Sequence, residues 1–219
     1  GDVGSMLTIG LKLLGETCVS TIGIYDLSEK QQKRWEMELS QITVNPDIKI
    51  KAISKEELFD GDMFVFCASK AIPKVGEESQ STGEAVDVRM IQFEENSKII
   101  SIYAKMAREQ NYKGIFAVVS DPVDLLCKTV YTASNQLEGT YDYKGLLPEQ
   151  VVGFGLGVMD GRAKYYSEQL GLSYSTTGRA FGPHGKDLVV SDDVRSTQDE
   201  TALKLTHQVI TANLEMRAL

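Results

Sequence analysis

Short runs rich in β-branched and aromatic residues alternate with stretches of helical periodicity along this chain, and that alternation restricts its fold more than any single motif. Thr21 to Tyr25, Met63 to Cys67 and Gly114 to Val119 are apolar, bounded by turn residues and too short for helices, and Ile48, Ile50, Ala52 and Ile53 suggest a further strand. Between and around them lie a crowded apolar helix from the Gly1 and Gly4 pair, a charged helix capped by Ser28 and running to about Ile42, a long helix from about Val86 to Glu109, and one opening at Pro122. Strands that alternate with helices of this length pair in parallel, with both sheet faces covered. An α/β fold built on a doubly wound parallel sheet is expected.

The pattern changes after Leu146-Leu147-Pro148. A short strand around Val151 to Phe154 precedes a helix from about Asp160 to Leu170, a turn at His184, a strand near Leu188 to Val190 and a last helix from about Asp199 to Leu219. The polar, turn-rich stretch Asn135 to Gly145 suggests a boundary near residue 145, so two domains are expected, 1–145 and 146–219. The 219 residues, 42% hydrophobic, suffice for a substantial core. A net charge of −8 argues against a general affinity for nucleic acid or anionic membrane, which leaves small molecules as the expected partners. Cys18, Cys67 and Cys127 are odd in number and far apart, suggesting neither a disulfide framework nor a metal site, and a reducing cytoplasm is the expected setting. Apolar runs such as Ile115 to Val119 are too short to cross a bilayer. The opening at Gly1 without methionine, and a close at Leu219 without a helix-ending signal, are expected of a piece of a longer chain.

His184 is one of two histidines and sits in Phe181-Gly182-Pro183-His184-Gly185. Histidine alone titrates near neutrality without perturbation, and the flanking glycines are expected to leave the ring accessible, as a proton shuttle or as a turn residue facing water. Gly1-x-x-Gly4 before a helix is the back half of a G-x-G-x-x-G turn, in which backbone approaches a pyrophosphate at a positive helix end. Asp26 ends the next strand 22 residues after Gly4, near the spacing for a carboxylate that binds an adenosine ribose and repels the extra phosphate of NADP. A tight turn with an ordinary capping Asp is the competing reading.

Gly1-x-x-Gly4 with Asp26, Arg89 in Asp87-Val88-Arg89-Met90, Asn96 seven residues on, Ser120-Asp121-Pro122-Val123-Asp124, Met159-Asp160-Gly161-Arg162 and Gly182-Pro183-His184-Gly185 together resemble the lactate/malate dehydrogenase family, in the family's order and over nearly the whole chain. The resemblance implies a Rossmann-type NAD-binding domain over 1–145 whose first strand lies before Gly1, and part of an α+β catalytic domain over 146–219. It implies NAD as cofactor, hydride transfer between a 2-hydroxy acid and a 2-oxo acid, no resident metal, and assembly as a homodimer or homotetramer. Gly1, Gly4, Asp26, Asn96 and Asp121 would contact the cofactor. His184 would be the proton donor and acceptor, and Asp160 the carboxylate that holds its ring, although Asp160 also suits a helix N-cap. Arg89 would close over the substrate and polarise its carbonyl, and Arg162 would bind the substrate carboxylate, with a solvated helix arginine as the alternative.

Two departures stand out. Arg162 follows Asp160 by two residues where the family has three, which turns the side chain by about 100° on a helix. Asp121 stands where the family has an asparagine; an ionised carboxylate only accepts hydrogen bonds and repels an anionic substrate, which it is here also assigned to contact. The loop from Ser69 to Ala85 contains no arginine to read a second carboxylate, only Lys70 and Lys74. Cys67, Cys127 and Trp35 read as packing residues and His207 as a helix-surface residue. An NAD-dependent 2-hydroxy acid dehydrogenase, a catalytically degenerate NAD-binding protein of the same fold, and an NAD-requiring sugar hydrolase are the three readings, the last without a His and Cys metal cluster to support it.

Overall fold

The computed structural model describes residues 1–70, 88–185 and 187–218. Two compact units are present, one drawn from residues 1–69, 98–120 and 129–152, the other from 70–97, 121–128 and 153–219.

Chain order through residue 153 is α1 (Asp2–Leu14), β1 (Thr21–Ile24), α2 (Glu29–Ser40), β2 (Lys49–Ala52), a 3-10 turn (Glu56–Phe59), β3 (Met63–Phe66), α3 (Val88–Glu109), β4 (Ile115–Val118), α4 (Val123–Ser134), the short pair β5 (Gln136–Leu137) and β6 (Thr140–Tyr141), a second 3-10 turn (Pro148–Gln150), and β7 (Val151–Gly153). β1 and β2 pair in parallel from Thr21 opposite Lys49 to Ile24 opposite Ala52, and β3 and β4 from Met63 opposite Ile115 to Phe66 opposite Val118. The larger sheet runs β3-β4-β7. β4 shows why its run is apolar throughout: Phe116, Ala117 and Val118 are all buried, so both faces are covered. Phe116 lies 4.7 Å from the Phe64 ring, and Phe59 from the first 3-10 turn lies 4.7 Å from Phe64, so one aromatic cluster packs the sheet. As the sequence predicts, Ser28 caps α2, its hydroxyl accepting the Gln31 N–H at 3.4 Å.

Polar clasps tie the loops of this unit down. The buried Lys12 ammonium donates to the carbonyls of Asn45 (2.8 Å) and Ile48 (2.9 Å). Asn45, in the left-handed region at φ 54°, returns its side-chain amide to the Leu13 carbonyl at 3.0 Å and caps the end of α1. Arg108 grips Asp142 through two nitrogens, at 2.7 and 2.5 Å, and also donates to the Ser134 carbonyl. The stretch expected to be a plain polar connection therefore holds the β5–β6 hairpin and a fastened turn, because Arg108 and the buried Asn135 satisfy its backbone.

The second unit contains α5 (Leu156–Gln169), α6 (Tyr174–Thr177), β8 (Arg179–Phe181), β9 (Val189–Ser191) and α7 (Glu200–Ala218). β8 and β9 are antiparallel, Arg179 opposite Ser191. One core joins Met159, Ala163 and Tyr166 of α5, Tyr174, Leu188, Val190 of β9, and Leu205, Val209 and Ala212 of α7; each large side chain buried this way contributes about 1.5–3 kcal/mol. The Thr206 hydroxyl donates to the Val190 carbonyl and accepts the Val190 N–H, both at 2.8 Å, closing the edge of β9. α5 starts at Leu156 behind Gly155, one turn before the expected Asp160, so Asp160 is not its cap. No helix among the described residues is long and apolar enough to cross a membrane.

Candidate functional site

The turn at residues 182–185 is shaped by its glycines. Gly182 has φ 91°, and a Cβ there would stand 2.9 Å from the Asp187 carbonyl oxygen. Gly185 donates its N–H to the Pro183 carbonyl at 2.8 Å. His184 projects from this turn with its side chain only 15% exposed, more enclosed than the flanking glycines suggest. A distant residue accounts for the difference: Gly155, the N-cap of α5. A Cβ on Gly155 would lie 2.8 Å from His184 Cβ and 3.0 Å from Nδ1, so the ring lies directly on bare backbone.

The Gly155 carbonyl is 2.9 Å from His184 Nδ1. A carbonyl only accepts, so Nδ1 carries the proton in this bond, leaving Nε2 as the nitrogen that exchanges one. Asp121 Oδ1 lies 3.6 Å from Nε2. The His184 backbone N–H donates to Asp124 Oδ2 at 3.0 Å. Asn96, wholly buried, donates from Nδ2 to the Asp121 carbonyl at 2.8 Å and accepts the Lys70 N–H on Oδ1 at 2.9 Å. The Asp121–Pro122 peptide is cis. Thus Asn96, Asp121, Asp124, Gly155 and His184 form one connected cluster inside the second unit.

Asp160 does not join it. Its carboxylate takes Lys164 Nζ at 2.8 Å and the Tyr174 hydroxyl at 2.9 Å, and the Lys164 bond holds it below the usual carboxylate range, assisted by Tyr174. Burial pushes the Tyr174 hydroxyl up. The expectation that Asp160 orients the His184 ring therefore gives way here to the Gly155 carbonyl. Arg162 donates to Met159 Sδ at 3.9 Å among its contacts. Two residues apart on α5, Asp160 and Arg162 are separated by about 200° around the helix axis. Arg89 lies in the opening turn of α3, and the loop over Ser69 to Ala85 falls outside the described residues beyond Lys70. Burial raises the Cys67 thiol, and raises that of Cys127 to about 11 with Asp124 adding to the effect, consistent with packing roles. Among the described residues no cluster of His, Cys, Asp and Glu is placed to hold a metal.

Gly155 escaped the sequence reading. Its signal was present in Gly153-Phe154-Gly155, glycines at the end of a short strand, where backbone commonly approaches something closely.

In the first unit, Gly1 precedes α1 and Gly4 lies in its first turn. A Cβ on Gly4 would make ordinary contact with Cys67 Cβ at 3.6 Å, so packing does not require that glycine. The lack of side chains at Gly1 and Gly4 leaves the N–H groups of the helix start approachable. Asp26 follows β1, with Oδ1 held by the Ser28 N–H at 2.8 Å, and its charge contributes, after partial burial and Tyr25, to raising the Tyr103 hydroxyl.

The model of the lactate/malate dehydrogenase NAD-binding domain matches residues 1–140. The chain is 29% identical over 189 residues to an L-lactate dehydrogenase of Staphylococcus saprophyticus, covering 84% of this chain and 52% of that protein. It is 27% identical over the same length to L-lactate dehydrogenase 2 of Staphylococcus aureus. The chain spans about half the length of the curated relatives it matches. Among solved structures it shares its fold with a lactate dehydrogenase from a Medee basin deep-sea metagenome library (TM-score 0.74, 19% identity, 100% of this chain and 68% of the other). It also shares it with the malate dehydrogenase of Archaeoglobus fulgidus in complex with NADH (TM-score 0.70, 18% identity, 97% and 66%). The Rossmann-type α/β fold accounts for the parallel pairs β1–β2 and β3–β4. NAD is the cofactor of the matched domain, and the residues present fit it: an open helix start for a pyrophosphate and a fixed carboxylate after β1 for ribose hydroxyls. Matched over its first 140 residues, and with this fold, the chain belongs to the lactate/malate dehydrogenase family.

Proposed function

We propose that the chain belongs to an NAD-dependent oxidoreductase acting on a CH–OH group, interconverting a 2-hydroxy acid and a 2-oxo acid. Residues 1–145 serve as the NAD-binding domain and 146–219 as part of the catalytic domain. The observation that carries the reading is the tethered ring of His184, whose Nδ1 is committed to the Gly155 carbonyl so that Nε2 is its working nitrogen. NAD, when bound, supplies or accepts the hydride at the carbonyl carbon. His184 delivers the matching proton to the carbonyl oxygen through Nε2 and recovers it in reverse. Arg89 polarises the carbonyl and Arg162 pairs with the substrate carboxylate. Gly1, Gly4 and Asp26 hold the cofactor, while Asn96 acts through the backbone of Asp121 and Lys70. For Asp160 to stand beside the ring, its bonds to Lys164 and Tyr174 must be exchanged. The protein works in the cytoplasm as a homodimer or homotetramer.

The full-length protein mixed with NADH and a panel of 2-oxo acids tests this: NADH absorbance should fall with at least one acid. His184→Asn should bind NADH as the wild type does and lose about 100-fold or more in turnover. NADH binding with no oxidation by any acid would sink the dehydrogenase reading. It would favour the second one, a catalytically degenerate NAD-binding protein, which one observation supports: the Asp121 carboxylate lies 3.6 Å from the nitrogen assigned to the substrate.

A further inference from the structure

Resting on that reading of His184, we propose that Asp124 is its positioning residue, acting through the His184 backbone N–H and not through the ring. The two residues are 60 apart in sequence, and the carboxylate crosses that separation to accept the N–H at 3.0 Å. Asp124 lies in the first turn of α4, where an acidic side chain ordinarily serves its own helix start. Here it serves a turn that is set internally at Gly182 and Gly185 and that needs fastening to the rest of its unit.

The two anchors on His184 are complementary. Asp124 fixes the main chain at His184, and Gly155 fixes the far end of the side chain at Nδ1. With both ends held, rotation about χ1 sacrifices the Gly155 bond, and a shift of the main chain sacrifices the Asp124 bond. A carboxylate accepting from N–H is a charge-assisted bond, stronger than a neutral one, which suits a residue that must hold a turn against thermal motion. Freed of Asp124, the turn could carry the ring away from Gly155 and leave either ring nitrogen protonated. Proton delivery would then lose its fixed direction while cofactor binding stayed intact. Asp160 does not substitute for this anchor, since Lys164 and Tyr174 occupy it.

Asp124→Ser in the full-length protein tests the proposal, because serine suits a helix start but is too short to reach His184. Amide hydrogen exchange at His184 should speed up by about tenfold or more, and the ring signal of His184, one of two histidines in this sequence, should shift. kcat should fall with KM for NADH unchanged, and Asp124→Asn, which keeps an acceptor oxygen of the same reach, should recover both exchange protection and most of kcat. Wild-type exchange and ring signal in Asp124→Ser would overturn the proposal. So would an equal rise in exchange throughout residues 153–219, which would make Asp124 a general stabiliser of the unit. The exchange readout does not depend on turnover, so an inactive wild type with a Ser-sensitive His184 amide would count against the dehydrogenase reading alone.

Discussion

Phe116 and His184 sit in opposite kinds of surroundings. Phe116, fully buried on β4, is fixed by neighbouring rings from Phe64 and Phe59, and none of these contacts depends on a particular hydrogen bond. His184 is fixed by one hydrogen bond at its main chain, one at its ring and the missing side chain of Gly155. Apolar packing tolerates small errors by spreading them over many contacts; a residue held at two polar points loses its orientation when either fails. Mass should therefore govern whether the parallel-sheet unit folds, and single atoms should govern how the His184 cluster works.

The largest test of this contrast is Phe116→Ala, which should lower unfolding free energy by about 3–5 kcal/mol in denaturant titration. A loss below 1 kcal/mol would show that the aromatic cluster does not carry the sheet. Gly155→Ala should cost less, about 1–3 kcal/mol from overpacking, yet displace the ring and abolish most turnover; a wild-type His184 ring signal in that variant would remove Gly155 from the account. Next comes an acid effect confined to the first unit. The bidentate Arg108 bond holds Asp142 at about 2, below its ordinary 3.8, so its contribution is complete above about pH 4 and is lost as pH falls toward 2. Asp142→Asn should flatten that acid limb in a pH series of unfolding midpoints, and an unchanged limb would place the acid sensitivity elsewhere. Smallest is Glu38→Gln, which breaks the exposed Arg34 pair on α2 and should leave the thermal midpoint unmoved.

What could be read from the chain divides along the same line. β1 to β4 were legible to within a residue or two: β3 and β4 because burial forces an apolar run, and the more exposed β1 and β2 because isoleucines spaced along short segments are bounded by turn residues. The motif residues were legible individually, yet their partners were not. Asp160 resembled the ring's partner because motif order carries no information on side-chain direction, whereas Lys164 one turn along α5 and Tyr174 at the start of α6 capture it. Asp124, in the first turn of α4, fixes the backbone of a turn 60 residues away, a partner that its place in the motif does not reveal. β8 and α6 were missed because each is a single short segment whose order comes from packing, with Tyr174 among the most deeply buried side chains.

The Lys12 and Asn45 clasp has a consequence for how the protein meets proteases. The segment between α2 and β2, around residues 41–48, is an irregular surface connection of the kind that is ordinarily nicked first. Cleavage needs a stretch of backbone to lift into an enzyme's cleft, and here lifting would strip the buried Lys12 ammonium of two carbonyls and uncap α1 at the same moment. Limited digestion should spare this connection until the end of α1 itself has opened, which makes its first cut a clock for local unfolding.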